Sequence, residues 1–231
     1  FNNKIENIFF VHWSNKVPQN IINKYNCIGF HMTDLPYGKG GSPLQNLILR
    51  GKKKTKITAY KMTNELDSGP IYFKHSLDLS GSAKNIFQIA SKITFKMIRK
   101  FQEKKFKPKK QKKMFTVRTF PRIPEDSKID WSTGVENIYR LIRASSKPFD
   151  GAFSYIKNTK KKIKIFKAKP IKLDYKFYAI DGQVVEFNKE KLSFIVASKN
   201  KAIMITEYRI DGLSQKQSFE KLGFSINTRL T

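Results

Sequence analysis

The chain has 231 residues, 39% of them hydrophobic, so it can bury a core in one large domain or two modest ones. It has no run of about 18 apolar residues, which predicts no transmembrane helix. Its single cysteine, Cys27, excludes an internal disulfide framework and suits a reducing compartment such as the cytoplasm.

The net charge of +28 has two explanations. A charge this large is typical of proteins that bind nucleic acid. However, Lys far outnumbers Arg, and Asn, Ile and Phe are also abundant, which is the composition that A/T-rich coding sequence produces. Arg is the side chain that phosphate and base contacts usually favour. Coding bias is the stronger of the two explanations, and an evolved nucleic-acid surface stays open.

In the first third of the chain, short apolar stretches alternate with helical patterns. Strands are predicted over 5–13, 27–32, 57–62 and 71–76, and short helices are predicted from Pro18 and over 43–49. Strands separated by helices are typical of a parallel α/β sheet. A longer helix follows over 82–101, where apolar residues recur at helical spacing.

The remainder of the chain has a different pattern. Residues 103–113 form a basic block interrupted by Pro108, which indicates a solvated linker, with a dedicated RNA-binding tail as the weaker alternative. A helix is predicted over 133–142. Short strands follow over 153–156, 163–167, 184–187, 192–196 and 202–205, and their spacing favours a small barrel.

Two polar residues carry most of the chemical information. His31 ends an apolar run and opens a loop rich in Gly and Pro, and Asp67 follows the third predicted strand. An imidazole beside such a loop, with a carboxylate on a later turn, supplies what acyl transfer needs. Taken alone, a histidine at a strand end is more often structural, and an Asp before Ser-Gly is more often a turn residue.

The residues around this pair resemble the folate-dependent formyltransferases. In that family a strand ends in Asn-x-His, a loop reads roughly Ser-Leu-Leu-Pro, Arg-Gly and Pro, and later segments read Thr-Gly-Val-Thr and Asp-x-Gly. The matching positions here are His31, then Thr33, Leu35, Pro36, Gly40 and Pro43, then Thr55, Ile57 and Thr58, then Asp67 and Gly69. In the second half, 122–131, Ile142-Arg143-Ala144 and 148–153 resemble the family's C-terminal signatures.

The resemblance implies an activity and a set of site residues. A formyl group would move from 10-formyltetrahydrofolate, the folate co-substrate, to a primary amine, without a metal. His31 would stabilise the developing oxyanion and aid proton transfer, with Asp67 as its partner. The substrate and cofactor loop would comprise Thr33, Asp34, Pro36, Lys39, Gly40 and Ser42. His12 and Trp13 are weaker candidates for the folate pocket, with ordinary packing an equal alternative.

The resemblance also implies the architecture. Residues 1–106 would form part of a doubly wound, Rossmann-like formyltransferase domain that lacks its first strands and helices. Residues 107–130 would be a linker, and residues 131–231 a C-terminal domain built as a small OB-like β-barrel.

The sequence departs from the family pattern at three positions. Gly29 takes the place of the Asn and has no side chain to donate to an oxyanion, so backbone N–H groups of the loop are candidates to supply part of that function. Lys39 stands where the loop usually has Arg, and Asp34 replaces an apolar residue.

The acceptor amine has more than one interpretation. The loop 40–43 and residues 122–131 most resemble the branch that formylates a nucleotide-linked amino sugar, UDP-4-amino-4-deoxyarabinose. The positive charge favours the branch that formylates initiator methionyl-tRNA. A non-catalytic paralogue that binds RNA is the third alternative, because Gly29 removes a family donor.

Overall fold

The computed structural model describes residues 5–159, 161–173, 177–223 and 228–231. The chain divides into two compact units. The first comprises the residues up to Gly81 together with Asn85–Arg122, and the second comprises Ser82–Lys84 together with the residues from Ile123 onward.

The first unit contains a four-stranded sheet in the order β1-β2-β3-β4. The strands are β1 (Asn7–Val11), β2 (Asn26–His31), β3 (Lys54–Lys61) and β4 (Ile71–Asp78). The helices are α1 (Gln19–Lys24), α2 (Pro43–Leu49) and α3 (Ala83–Glu103). Each strand and helix predicted for this part of the sequence is therefore present.

The strand directions differ from the prediction of a parallel sheet. β1 and β2 are parallel, whereas β3 is antiparallel to both β2 and β4. β3 and β4 are joined by residues 62–70, which contain no helix, and such a short connection can only link antiparallel neighbours. The parallel prediction is therefore wrong for β3, which runs opposite to the other three strands. In the observed register His31 lies opposite Thr58, and Gly29 lies opposite Tyr60.

The core of the first unit draws on both sheet and helix. Ile28 of β2, Ile57 of β3 and Leu77 of β4 are fully buried. Aromatic rings join α3 to the strands, since the Phe101 ring lies 5.5 Å from that of Phe9 and 5.3 Å from that of Phe73. Within the described part of the chain, no helix combines the length and the apolar character needed to cross a membrane.

The basic stretch after α3 makes backbone contacts with the first unit. Lys109 and Ile71 exchange N–H···O bonds of 2.8 Å in both directions. These bonds form one antiparallel bridge between Lys109 and the first residue of β4. Farther along, Gly40 bridges Thr119 in parallel. Residues beyond the basic block thus lie beside the loop that follows β2.

The second unit is built on an antiparallel sheet in the order β5-β6-β9-β8-β7. Its strands are β5 (Ala152–Tyr155), β6 (Lys162–Ile171), β7 (Val184–Asn188), β8 (Ser193–Ser198) and β9 (Lys201–Ile210). Its helices are α4 (Val135–Ser145) and α5 (Gln215–Leu222). Buried apolar side chains of α4, α5 and the strands form one core that includes Trp131, Phe194 and Tyr208.

The predicted closed OB-like barrel is not confirmed. Among the described residues β5 and β7 are the two edges of an open sheet. Backbone hydrogen bonds from residues 228–231 reach both edges, with Thr231 bonded to Tyr155 at 2.8 and 2.9 Å and Leu230 N bonded to Gly182 O at 2.8 Å. Closure depends on the stagger between strands, which strand spacing in the sequence does not specify.

Phe194 offers a test of this core. Its side chain is 0% exposed and its ring lies 4.9 Å from that of Tyr208 in an edge-on arrangement. We expect Phe194→Ala to lower the free energy of unfolding by about 3–5 kcal/mol, because it removes a buried ring and leaves a cavity. Denaturant unfolding followed by the fluorescence of the buried Trp131 measures the change. Phe115→Ala, at a side chain 99% exposed, is the matched control and should change little; equal losses in the two variants would contradict the described core.

Candidate functional site

His31 and Asp67 come together at the end of β2. His31 is 8% exposed and Asp67 is 6% exposed, and His31 Nδ1 lies 3.6 Å from Asp67 Oδ2. Strand β2 places the imidazole, and the turn after β3 returns the carboxylate to it. The two residues singled out in the sequence thus form one buried pair.

The other nitrogen of His31 faces a backbone carbonyl. Nε2 lies 2.8 Å from Gly38 O, and since a carbonyl only accepts, Nε2 carries the proton of this bond. The same carbonyl accepts from Thr33 Oγ1 at 3.3 Å and from Thr119 Oγ1 at 3.2 Å. Both ring nitrogens of His31 are therefore contacted, Nε2 by the Gly38 carbonyl and Nδ1 by the Asp67 carboxylate 3.6 Å away.

Asp67 is held through both carboxylate oxygens. Oδ1 accepts from the Tyr60 hydroxyl at 2.8 Å, and Oδ2 accepts from the Gly40 backbone N–H at 2.9 Å. The Asp67 backbone has φ of 51°, a left-handed conformation that Asp adopts more readily than most residues. Donors from β3 and from the loop after β2 thus converge on one carboxylate, and His31 Nδ1 lies 3.6 Å from it.

Tyr60 occupies the space beside Gly29. A Cβ placed on Gly29 would lie 2.7–2.9 Å from Cε1, Cζ and the hydroxyl oxygen of Tyr60, closer than side chains pack. Burial raises the pKa of the Tyr60 hydroxyl far above its usual value, and the charge and hydrogen bond of Asp67 raise it further. The hydroxyl therefore stays protonated and remains a donor to Asp67.

The loop after β2 is fixed by polar contacts near His31. Thr58 Oγ1, on the strand opposite His31, donates to Thr33 O at 2.6 Å. Lys39 Nζ donates to Ser68 Oγ at 2.8 Å, beside Asp67. Pro36 O accepts from Thr116 Oγ1 at 3.1 Å. These contacts place Thr33, Pro36 and Lys39 close to the pair.

Asp34 and Ser42 have other partners. Asp34 pairs with Lys56 at 3.0 Å and with Lys74. Burial alone would raise the pKa of the Asp34 carboxyl, but the hydrogen bonds and charges of Lys74 and Lys56 outweigh it and hold this pKa below its usual value. Ser42 precedes α2, and its Oγ accepts from the Arg122 N–H at 3.0 Å. In this loop, then, Asp34 contacts lysines and Ser42 contacts backbone.

A cleft opens beside the Asp67 turn. It has a volume of about 710 Å³ and includes Ser68, Gly69 and Gln111 among its walls. Its cationic side chains are Lys39, Lys110, Lys112, Lys113 and Arg118, and Met114 and Phe115 also line it. The cleft can therefore hold an anionic ligand next to the buried pair.

Comparisons with known proteins bear on this site. Residues 122–218 match the formyl transferase C-terminal domain. The structure of a methionyl-tRNA formyltransferase from Clostridium thermocellum is 44% identical over 71% of this chain and 72% of that one, with a TM-score of 0.67.

The chain belongs to the formyltransferase family. It is 29% identical over 87% of its length to a bifunctional polymyxin resistance protein ArnA from Wigglesworthia glossinidia brevipalpis, and it spans 31% of that relative's length. It shares the fold of WlaRD, a sugar 3N-formyltransferase solved in the presence of dTDP and 5-N-formyl-THF, at 19% identity and a TM-score of 0.64. That match covers 91% of this chain and 76% of WlaRD. The formyltransferase resemblance found in the sequence is confirmed.

The two weaker candidates for the folate pocket lie directly after β1. The His12 ring lies 5.4 Å from that of Phe87, and His12 Nε2 lies 3.4 Å from Ser91 Oγ, both on α3. Trp13 is exposed and packs edge-on against Phe10 at 5.8 Å. The described contacts of His12 and Trp13 are thus with β1 and α3.

Three residues beside the pair were not predicted as site residues: Tyr60, Gln111 and Thr58, the last of which was matched only to the family motif. Tyr60 and Thr58 are two residues apart on β3 and therefore share a face. Only the register of β3 with β2 shows that this face lies beside Gly29 and His31. Gln111 lies in the basic block and donates from Nε2 to Asp67 O at 2.8 Å and to Gly69 O at 2.9 Å. No local pattern identified a site residue among so many lysines.

The ion pairs of Asp34 predict a pH-dependent contribution to stability. A carboxyl whose pKa is lowered by folding stabilises the fold above its unfolded pKa of about 3.9, and this stabilisation is lost as the pH falls through the folded pKa. We expect Asp34→Asn to lower the free energy of unfolding near neutral pH by less than about 1 kcal/mol, since the pairs are partly exposed. The difference from the parent chain should stay constant from neutral pH down to about pH 5 and shrink toward zero as the pH falls below about 4.

Urea unfolding at several pH values, followed by circular dichroism, measures this difference. Asp150→Asn is the matched control, because that carboxylate is 93% exposed and lies 4.0 Å from Lys164. A deficit in Asp34→Asn that stayed constant down to the acid end would contradict the assignment.

Proposed function

We propose that this chain catalyses formyl transfer from 10-formyltetrahydrofolate to a primary amine, with His31 and Asp67 at the reacting centre. The observation that carries the proposal is the convergence of these two buried side chains, 3.6 Å apart, in a member of the formyltransferase family. The folate donor is supported by WlaRD, whose structure was solved with 5-N-formyl-THF.

The chemistry needs a donor for a developing negative charge. When the amine nitrogen bonds to the formyl carbon, the carbonyl oxygen becomes negative, and the bond to the departing nitrogen then breaks as the carbonyl re-forms. A protonated His31 can donate to that oxygen and deliver a proton to the departing nitrogen, and the proton that the attacking amine loses restores the ring. The carboxylate of Asp67 orients the ring and stabilises its charge.

The loop after β2 must change its conformation for His31 to contact the substrate oxygen. His31 Nε2 donates to Gly38 O, so the substrate oxygen has to replace that carbonyl as the acceptor. Gly38 has φ of 72° and Gly40 has φ of 115°, conformations open to glycine and strained for other residues. The backbone that covers His31 thus contains the residue type best able to change its dihedral angles.

For the acceptor, we propose the amino group of a nucleotide-linked amino sugar. The cationic side chains of the cleft suit a diphosphate, and the exposed ring of Phe115 suits a nucleobase. The volume of about 710 Å³ is that of a small-molecule site. WlaRD, solved with dTDP, supports the same class of acceptor.

Methionyl-tRNA is the second candidate acceptor. The net charge of +28 favours it, and so does the 44% identity to a methionyl-tRNA formyltransferase. A tRNA would contact cations spread over the surface, whereas a sugar nucleotide would engage those of the cleft.

Substitution of His31 tests the reacting centre. We expect His31→Ala to lower kcat by roughly 10²- to 10⁴-fold, the usual contribution of a positioned acid or base. The assay follows conversion of 10-formyltetrahydrofolate with each acceptor class, and a thermal melt checks that the variant folds. His75→Ala is the matched control, because His75 is exposed and its ring bonds to the neighbouring Ser76 O at 2.9 Å. Wild-type turnover in folded His31→Ala would disprove the proposal.

The salt dependence of binding distinguishes the acceptors. Binding of tRNA through several phosphates should weaken by about 10³- to 10⁵-fold between roughly 50 and 200 mM salt, because counterions are released. Binding of a sugar nucleotide should weaken by less than about tenfold, since it carries few charges. Titrations of both ligands across this range make the measurement. A steep salt dependence together with formylation of tRNA would reassign the acceptor.

A further inference from the structure

Tyr60 links the glycine beside the site to the buried carboxylate. In the register of β2 with β3, Gly29 lies opposite Tyr60, and His31 lies opposite Thr58, so all four residues share the site's side of the strand pair. The Tyr60 ring fills the space where a side chain on Gly29 would begin, and its hydroxyl donates to Asp67 Oδ1 at 2.8 Å.

Packing alone would explain the ring but not the hydroxyl. An aromatic ring commonly covers a glycine on a neighbouring strand, and Phe would do so equally well. The hydroxyl instead lies on a side chain only 6% exposed and makes a charge-assisted bond to a carboxylate. With Oδ1 held by Tyr60, Oδ2 is left to face His31 Nδ1 and the Gly40 N–H.

We infer that Tyr60 is a positioning residue, whose hydroxyl sets the orientation of the Asp67 carboxylate toward His31, and that Gly29 is required to admit its ring. The inference rests on the proposed function, because the pair that Tyr60 positions is the pair assigned to formyl transfer. It also accounts for the glycine at the position where the family pattern has Asn: a side chain there and the Tyr60 ring exclude each other.

The protonation of Tyr60 limits its role to positioning. Burial, the Asp67 charge and the hydrogen bond together keep its pKa well above the ordinary value, so it does not act as a base. A hydroxyl has one hydrogen, and Tyr60 gives that hydrogen to Asp67. It therefore acts on the reaction through Asp67 and His31 and not by donating to the substrate oxygen.

Tyr60→Phe separates the positioning role from the packing role. It keeps the ring over Gly29 and removes only the bond to Asp67. We expect kcat to fall roughly 10- to 100-fold with KM little changed, the size of effect of a hydrogen bond to a charged group. Tyr72→Phe is the matched control: it removes a bond of 2.8 Å to neutral Asn26 on the same sheet.

A spectroscopic measurement tests the inference without relying on turnover. Nitrogen NMR of the labelled His31 ring should show a change at Nδ1, which faces Asp67, larger than at Nε2, which faces Gly38 O, in Tyr60→Phe but not in Tyr72→Phe. Gly29→Ala should produce the same change, because its Cβ displaces the Tyr60 ring. A double variant that combines Gly29→Ala with Tyr60→Phe should lose no more kcat than the more affected of the two single variants. Both substitutions act through the same hydrogen bond, from Tyr60 to Asp67.

The outcomes separate this inference from the proposed function. Tyr60→Phe with unchanged kcat and an unchanged Nδ1 signal would overturn the positioning role while formyl transfer by the parent chain still stands. If the parent chain showed no formyl transfer, but Tyr60→Phe and Gly29→Ala both changed the Nδ1 signal, the proposed function would be overturned. The linkage from Tyr60 through Asp67 to His31 would still stand.

Discussion

Burial of the Asp67 carboxylate is the constraint on which the site depends. A charge removed from water is costly unless hydrogen bonds and an opposite charge replace its hydration. At Asp67 the replacements come from β3 through Tyr60, from the loop through the Gly40 N–H and from β2 through His31. Because these groups belong to separate segments, the carboxylate is satisfied only when the segments are correctly aligned, and the same alignment produces the chemical pair.

Close backbone approaches make this alignment possible. A Cβ on Gly40 would lie 2.1 Å from Thr119 O, and a Cβ on Gly69 would lie 1.7 Å from Lys61 O, so both positions admit only glycine. The first approach brings the loop N–H to Asp67, and the second closes the turn on which Asp67 sits. The glycines of the family pattern are therefore explained by contact distances in this chain.

The sequence predicted the positions of the strands and helices better than their directions. The apolar runs located β1 to β4, and the His31–Asp67 pair followed from a family motif whose residue types and spacing can be read along the chain. The antiparallel direction of β3 and the open second sheet were not predicted, because strand direction and closure depend on contacts between distant residues. Tyr60 was missed for the same reason, since its importance lies in facing Gly29 across two strands, and neither residue is unusual in its own segment.

The exchange between Gly29 and Tyr60 shows how a family motif can lose a residue while its site remains ordered. A comparison position by position records Gly29 as the loss of a donor. In three dimensions a donor, Tyr60, enters the same space from the facing strand and binds Asp67, which in turn faces the His31 ring. The two arrangements differ in one respect: the tyrosine hydrogen is committed to the carboxylate, so in the proposed reaction stabilisation of the substrate oxygen would fall to His31 and to backbone N–H groups of the loop. The proposed reaction therefore ties the loop that covers His31 most closely to substrate binding, because the Gly38 carbonyl accepts the hydrogen bond from His31 Nε2 that the substrate oxygen would need.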